Sequence, residues 1–225
     1  MATRRRHNQA TEHEYFRGRA EDRGPCPALN ALANQNYLPR NGRNLTVAQV
    51  ETALREALSM TSHLAASTTG QLKAVLRSDG TFDLTDLRKH GTIEHDRSFT
   101  RLDYRQGADN YTLQPDMFQS LLNDAGGGPL TVKTLARTYR RRAEEHKRSG
   151  GQPLSLRMRF INLGQSVSFY SVAQVDGKIP REAVDAFYLD ERFTNEILED
   201  RRPRTLLRLI GNMLKLLFFV YIVRV

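Results

Sequence analysis

The chain has 225 residues, 39% of them hydrophobic and 26% charged, which suits a globular protein with a real core rather than a disordered one. One cysteine excludes an intramolecular disulfide framework, and with no CxxC or HExxH spacing a structural zinc site lacks its ligands. A net charge of +9 admits anionic partners, but no zinc finger or RNA-recognition signature accompanies it, so no specific nucleic-acid target is expected.

Residues 1–22 open with "MATRRRHNQATEHEY", which is polar and has no apolar signal core. They are expected to form a flexible arm on an intracellular protein. Ala28–Gln35 predicts a short helix ended by the turn "NYLPRNG". Thr46–Ala66 predicts one long helix: Thr46 suits an N-cap, and Val47, Val50, Ala53, Leu54 and Leu58 recur at helical spacing. Gln71–Arg77 and Leu84–His90 predict shorter helices, and the polar run from Gly91 to Asn110 an ordered loop or short helix rather than a strand. Gln114–Asn123 and Leu130–Ser149 predict helices, the second with a charged outer face. Leu154–Val175 reads as a buried helix and Arg181–Arg192 as another. The fold class is therefore all-α.

The end of the chain differs in character. Only Leu216–Val223 is free of charge or polar amide, too short to span a bilayer, which needs ~20 apolar residues. As a helix it would place Arg208, Gly211, Asn212 and Lys215 on one polar stripe. Residues 201–225 thus read either as a basic and apolar tail that meets a membrane surface or as a buried closing element. The main domain is set at 23–200.

Two clusters point to chemistry. Cys26 stands between Pro25 and Pro27, which restrict the backbone on both sides. A helix begins right after it, so free amides there stabilise a thiolate. A lone rigid thiolate suits haem iron, whose equatorial ligands come from the porphyrin; inert filler is the alternative. The second cluster, "IEHDRS", packs Glu94, His95, Asp96 and Ser98 together. It reads as an oxygen-rich nest for a hard cation, as a His–Asp pair for proton work, or as an exposed charged turn.

"PCPALNALANQNYLPRNG" followed by "EHDRS" resembles the fungal haem-thiolate peroxidases, the chloroperoxidases and unspecific peroxygenases. The similarity continues through "SFTRLDY" and "GKIPREAVDAFYLDERF". It implies a compact all-α domain with haem b between helices and Cys26 as the axial thiolate, flanked by Pro25 and Pro27. It also implies a Mg²⁺ or Mn²⁺ beside a haem propionate, held by Glu94, Ser98 and the carbonyl of His95. His95, oriented by Asp96, would face the distal pocket, and Ile93 would line it. Hydrogen peroxide and a small organic substrate are the implied partners, with secondary metabolism as the setting.

One departure stands out. The family places a proton-shuttling glutamate in a Gly-Glu step on a late helix, and the matching step here is Gly164-Gln165. A neutral amide cannot accept and return a proton. His95 or another carboxylate takes over, or the haem works without the usual peroxide chemistry, or the chain only binds haem. The alternative reading is accordingly a haem-binding paralogue with lost or non-peroxidatic activity, such as an isomerase or cyclase.

Overall fold

A computed structural model describes residues 12–107 and 109–223. The described residues contain helices and isolated bridges but no strand. The α-helices among them are α1 (Pro27–Asn34), α2 (Val47–Leu58), α3 (Ser62–Thr69), α4 (Pro115–Asp124), α5 (Val132–Arg148), α6 (Leu156–Ala173), α7 (Arg181–Tyr188), α8 (Asn195–Glu199) and α9 (Leu206–Phe218). The expected all-α class holds.

Local chemistry sets most boundaries. Thr46 and Gln49 form a reciprocal capping box at the start of α2, with the Gln49 amide 3.2 Å from Thr46 Oγ1. Thr131 and Thr134 do the same for α5. The single helix expected over Thr46–Ala66 is two. Ser59 takes a left-handed conformation (φ 48°), and Ser59 and Thr61 exchange main-chain hydrogen bonds with Arg204. Thr61 then caps α3. A pairing with a residue more than 140 positions away interrupts the helix, so the local pattern could not announce it. The segments expected after α3 are 3₁₀ turns, Gly70–Val75 and Leu84–Arg88.

Both ends of the domain differ from expectation. Residues 1–11 lie outside the described residues, but 12–22 are no loose arm. The His13 ring stacks on Tyr37 at 3.8 Å, the Phe16 amide donates to the Asn34 carbonyl at 2.9 Å, and Tyr15 Oη donates to the Asp190 carbonyl at 2.7 Å. At the other end α9 continues through a π-helical turn, Phe219–Val223. Leu206–Val223 is then 18 residues with a mean hydropathy of 1.9, long and apolar enough to cross a membrane by length and composition. That span is longer than the uninterrupted run Leu216–Val223 because it admits Arg208, Asn212 and Lys215. Asn212, Met213, Leu216 and Val220 of this segment are buried, and α9 packs on α6 and α5. Arg204, fully buried before α9, donates to the carbonyl of Val172 and pairs with Asp200 at 3.0 Å.

Candidate active site

Cys26 is the N-cap of α1, with Pro27 as the first helical residue. Pro suits that place because its missing N–H would have no helical partner. The thiol is half-buried at the edge of the core. Burial pushes its pKa up, and the nearby amides of Leu29 and Ala28, with the charge of Arg101, pull it down without a cap hydrogen bond to the sulfur; burial wins. Desolvation thus favours the protonated thiol over a standing thiolate nucleophile. The expected helix-start stabilisation exists but is outweighed by desolvation.

The cysteine's seat is built by residues that the sequence pattern did not single out. Asn30 lies one turn along α1. Its side chain accepts from the Gly24 amide (3.0 Å) and donates to the Gly24 carbonyl (2.9 Å), clamping the backbone before Pro25. The same amide donates to Glu191 at 2.7 Å, and Glu191 pairs with the buried Arg101 at 3.3 Å. Asn34, a further turn on, accepts from the guanidinium of buried Arg23 at 2.7 Å. Two buried asparagines four apart on an otherwise apolar helix were the available signal. Gly24 is required by close approach: a Cβ there would lie 2.4 Å from the Leu84 carbonyl.

The segments flanking the loop 93–98 are tied to this seat and to α6. Arg88 donates to the Arg23 carbonyl at 2.6 Å, and Arg101 reaches Glu191 as described. On the other side Arg157 of α6 donates to the Thr92 carbonyl at 2.9 Å. Glu94 is buried, and its carboxylate pairs with His90 Nδ1 at 2.7 Å while Tyr104 stacks on the His90 ring at 4.4 Å. Burial raises the Glu94 pKa against the lowering effect of His90. Ser98 is half-buried, and its carbonyl accepts from Arg142 at 2.7 Å. Ile93 packs on the edge of the core, as Cys26 does. No cluster of three or more His, Cys, Asp or Glu side chains suited to a metal occurs among the described residues.

His95 is buried, and Nδ1 is 2.8 Å from the main-chain carbonyl of Asp96. A carbonyl only accepts, so Nδ1 carries the hydrogen and Nε2 keeps a lone pair. That Nε2 is buried without a partner. Burial holds the ring's pKa below its ordinary value, which favours the neutral imidazole. The orienting group is therefore the Asp96 carbonyl, not the carboxylate expected from the sequence. The carboxylate is turned away to accept from the Tyr104 amide at 2.7 Å.

Behind the loop stands a buried charge network. Asp103 accepts from the Arg97 amide, from Arg142 Nη2 and from His146 Nδ1, each at 2.7 Å. Arg142 and His146 lie on α5, whose charged face was expected to be exposed. Their burial is the price of holding a loop in which Arg97 has φ 73°.

Gln165 does not join this assembly. Its side chain is exposed on α6, and the α6 residues that touch the loop are Arg157 and Asn162. The Asn162 Oδ1 is buried and unpartnered. Leu156, Phe160 and Gly164, four apart, lie along one open face beside Gln165; Leu156 and Phe160 are exposed, and nothing lies within 4 Å of a Cβ built on Gly164.

A family model described as "Peroxidase, family 2" matches residues 13–202. The chain belongs to that family. Peroxidase family 2 bears out the resemblance to haem-thiolate peroxidases that the "PCPALN" and "EHDRS" motifs carried. The chloroperoxidase of Leptoxyphium fumago is 32% identical over 132 residues, 49% of this chain and 33% of that protein. The aromatic peroxygenase of Coprinellus radians is 31% identical over 179 residues, 70% of this chain and 68% of that protein. The dothistromin biosynthesis peroxidase of Dothistroma septosporum is 30% identical over 128 residues, covering 48% of this chain and 30% of that protein. The chain thus spans between about a third and two thirds of the length of these relatives.

Proposed function

We propose that this member of peroxidase family 2 holds haem b through Cys26 and uses hydrogen peroxide to oxidise a small organic substrate. The observation that carries the reading is the placement of the only cysteine: the N-cap of α1, at the edge of the core, with both neighbours proline. The buried, unpartnered lone pair on His95 Nε2 suits the hydrogen peroxide of this reading, a proton donor for a buried acceptor that has none among the described residues. When bound, the haem supplies the redox chemistry, which a lone thiol and a carboxylate cannot.

The residues divide the remaining work. Pro25, Pro27 and the Asn30 clamp fix the sulfur. The nearby Leu29 and Ala28 amides and the charge of Arg101 favour the thiolate form and would moderate its donation to a bound iron. Ile93 lines the pocket. In this reading His95 Nε2 takes the proton, through the lone pair left free by the Nδ1 contact. Gln165 offers hydrogen bonds only. In this reading Glu94, the His95 carbonyl and Ser98 would hold a Mg²⁺ or Mn²⁺, for which Glu94 would have to give up its pairing with His90. A role in secondary metabolism is proposed on the name of the Dothistroma relative alone.

The test is the CO-difference spectrum of protein expressed with haem. A thiolate-type Soret band is expected, replaced by an imidazole type in Cys26→His. Absence of haem uptake, or a spectrum indifferent to Cys26, overturns the proposal. The exposed neutral Gln165 favours a second reading, a haem protein without peroxide turnover. Gln165→Glu decides between them. If wild type is inert and the variant gains peroxide turnover, within the ~10²–10⁴ typical of general acid–base catalysis, the second reading stands.

A further inference from the structure

The segment Leu206–Val223 has two faces with opposite surroundings. Asn212, Met213, Leu216 and Val220 are buried, and Asn212 Nδ2 donates to Ser171 Oγ of α6 at 2.9 Å. The opposite face carries Leu207 (82% exposed), Ile210, Leu214 (61%), Phe218, Tyr221 and Ile222 (70%). At 100° per residue Leu207, Ile210, Leu214 and Phe218 fall on one stripe, which the exposed Tyr221 and Ile222 of the π-helical turn extend, and Arg208 and Lys215 flank it along one side. The polar stripe expected from the sequence is thereby split: Arg208 and Lys215 border the apolar face, while Asn212 turns inward. From Arg201 to Val225 the sequence holds no Asp or Glu.

We propose that this stripe docks the protein on an anionic lipid bilayer, with α9 lying in the interface plane. Charge decides the occupant. An apolar face bordered by cations, in a segment free of acidic residues, complements negatively charged headgroups over acyl chains. Geometry decides the mode. The segment is long enough to cross, but crossing requires Met213, Leu216 and Val220 to leave the core and the Asn212–Ser171 bond to break. Lying flat uses the exposed face as it stands. The inference is independent of what the haem does, and it places α6, the helix of Gln165, directly behind the docked one.

The experiment uses the full chain with vesicles of phosphatidylcholine, with and without phosphatidylserine. The sequence has no tryptophan, so Phe218→Trp supplies a single reporter. Sedimentation with the phosphatidylserine vesicles and a blue-shifted reporter emission are expected. Leu214→Asp should weaken partition about tenfold or more. Arg208→Gln with Lys215→Gln should weaken it roughly twentyfold on anionic vesicles, without effect on neutral ones. That charge pair leaves the apolar face intact, so it decides the matter if Leu214→Asp fails to fold. The proposal is overturned by no binding, by binding indifferent to the charge pair, or by resistance to alkaline carbonate, which marks a spanning helix. A dimer in free solution that Leu214→Asp converts to monomer also overturns it, since a second copy then covers the face.

Discussion

Replacing Asp103 by asparagine tests whether the buried charges behind the loop act as one unit. The side chains of Asp103 and Arg142 are each 4% exposed. Asparagine keeps an oxygen for the Arg97 amide and for Arg142, but presents a donor or a neutral oxygen to His146. A hydrogen bond to a charged group contributes about 1.5–3 kcal/mol and a neutral one about 0.5–1.5, so two weakened bonds account for about 2 kcal/mol. Arg142 also loses its fully buried counter-ion. Stranding a buried charge costs about 3–5 kcal/mol, offset here because Glu145 still pairs with it at 2.6 Å from a partly exposed position. About 3 kcal/mol in total is the expected loss. At ~2–4 °C per kcal/mol for a chain of this size, Tm falls by roughly 6–12 °C. Calorimetry of Asp103→Asn, Arg142→Met and the double variant measures the coupling. Hydrogen exchange of the 94–98 amides should speed up in parallel, because Arg97 and Ser98 hang on this network. Single effects that add to within about 0.5 kcal/mol would show that the pair is not a unit and refute the reasoning.

Three further outcomes are expected. Gly24→Ala drives a Cβ to 2.4 Å from the Leu84 carbonyl, so the backbone before Cys26 must shift. A loss of about 1–3 kcal/mol, read by urea denaturation, should come with reduced haem uptake. Asn30→Ala removes the Gly24 clamp and one partner of Glu191. It should cost about 2 kcal/mol and broaden the haem spectrum, whereas an unchanged spectrum would confine Asn30 to stability. Asp200 is held from its ordinary 3.8 down to about 2, chiefly by the Arg202 hydrogen bond. Below 3.8 the unfolded chain binds the proton first, so the contribution of Asp200, intact above 3.8, is lost as pH falls through about 2. Urea midpoints of wild type and Asp200→Asn should therefore differ at neutral pH and converge in strong acid.

What was legible in the sequence was what local chemistry dictates. Thr46 announced its helix because a capping box spans four residues, and "PCP" announced a rigid helix start because two prolines suffice to make one. The break at Ser59 was hidden because its cause, Arg204, lies far along the chain. Arg142 and His146 read as solvent-facing because nothing near them in sequence names Asp103 as their partner. Asn30 and Asn34 belong to the same class: their partners include Gly24 and Arg23, but also the distant Glu191. Asp96 was misassigned for a smaller reason. A loop residue has both a carbonyl and a carboxylate to offer, and only the backbone conformation decides which one meets His95.

The clamp on the cysteine segment has a consequence for the order of assembly. Asn30, Asn34 and Gln35 of the α1 region bind Glu191 and Phe193 across 157 to 161 residues of sequence. Cys26 is among the first parts of the site to be synthesised, yet its seat closes only when nearly the whole domain has been made. Contacts of such long range form late, after the intervening loop entropy has been overcome. A nascent chain therefore exposes a thiol with no finished seat around it, and under the proposed function acquisition of haem would belong after translation of residues 191–193, not during it.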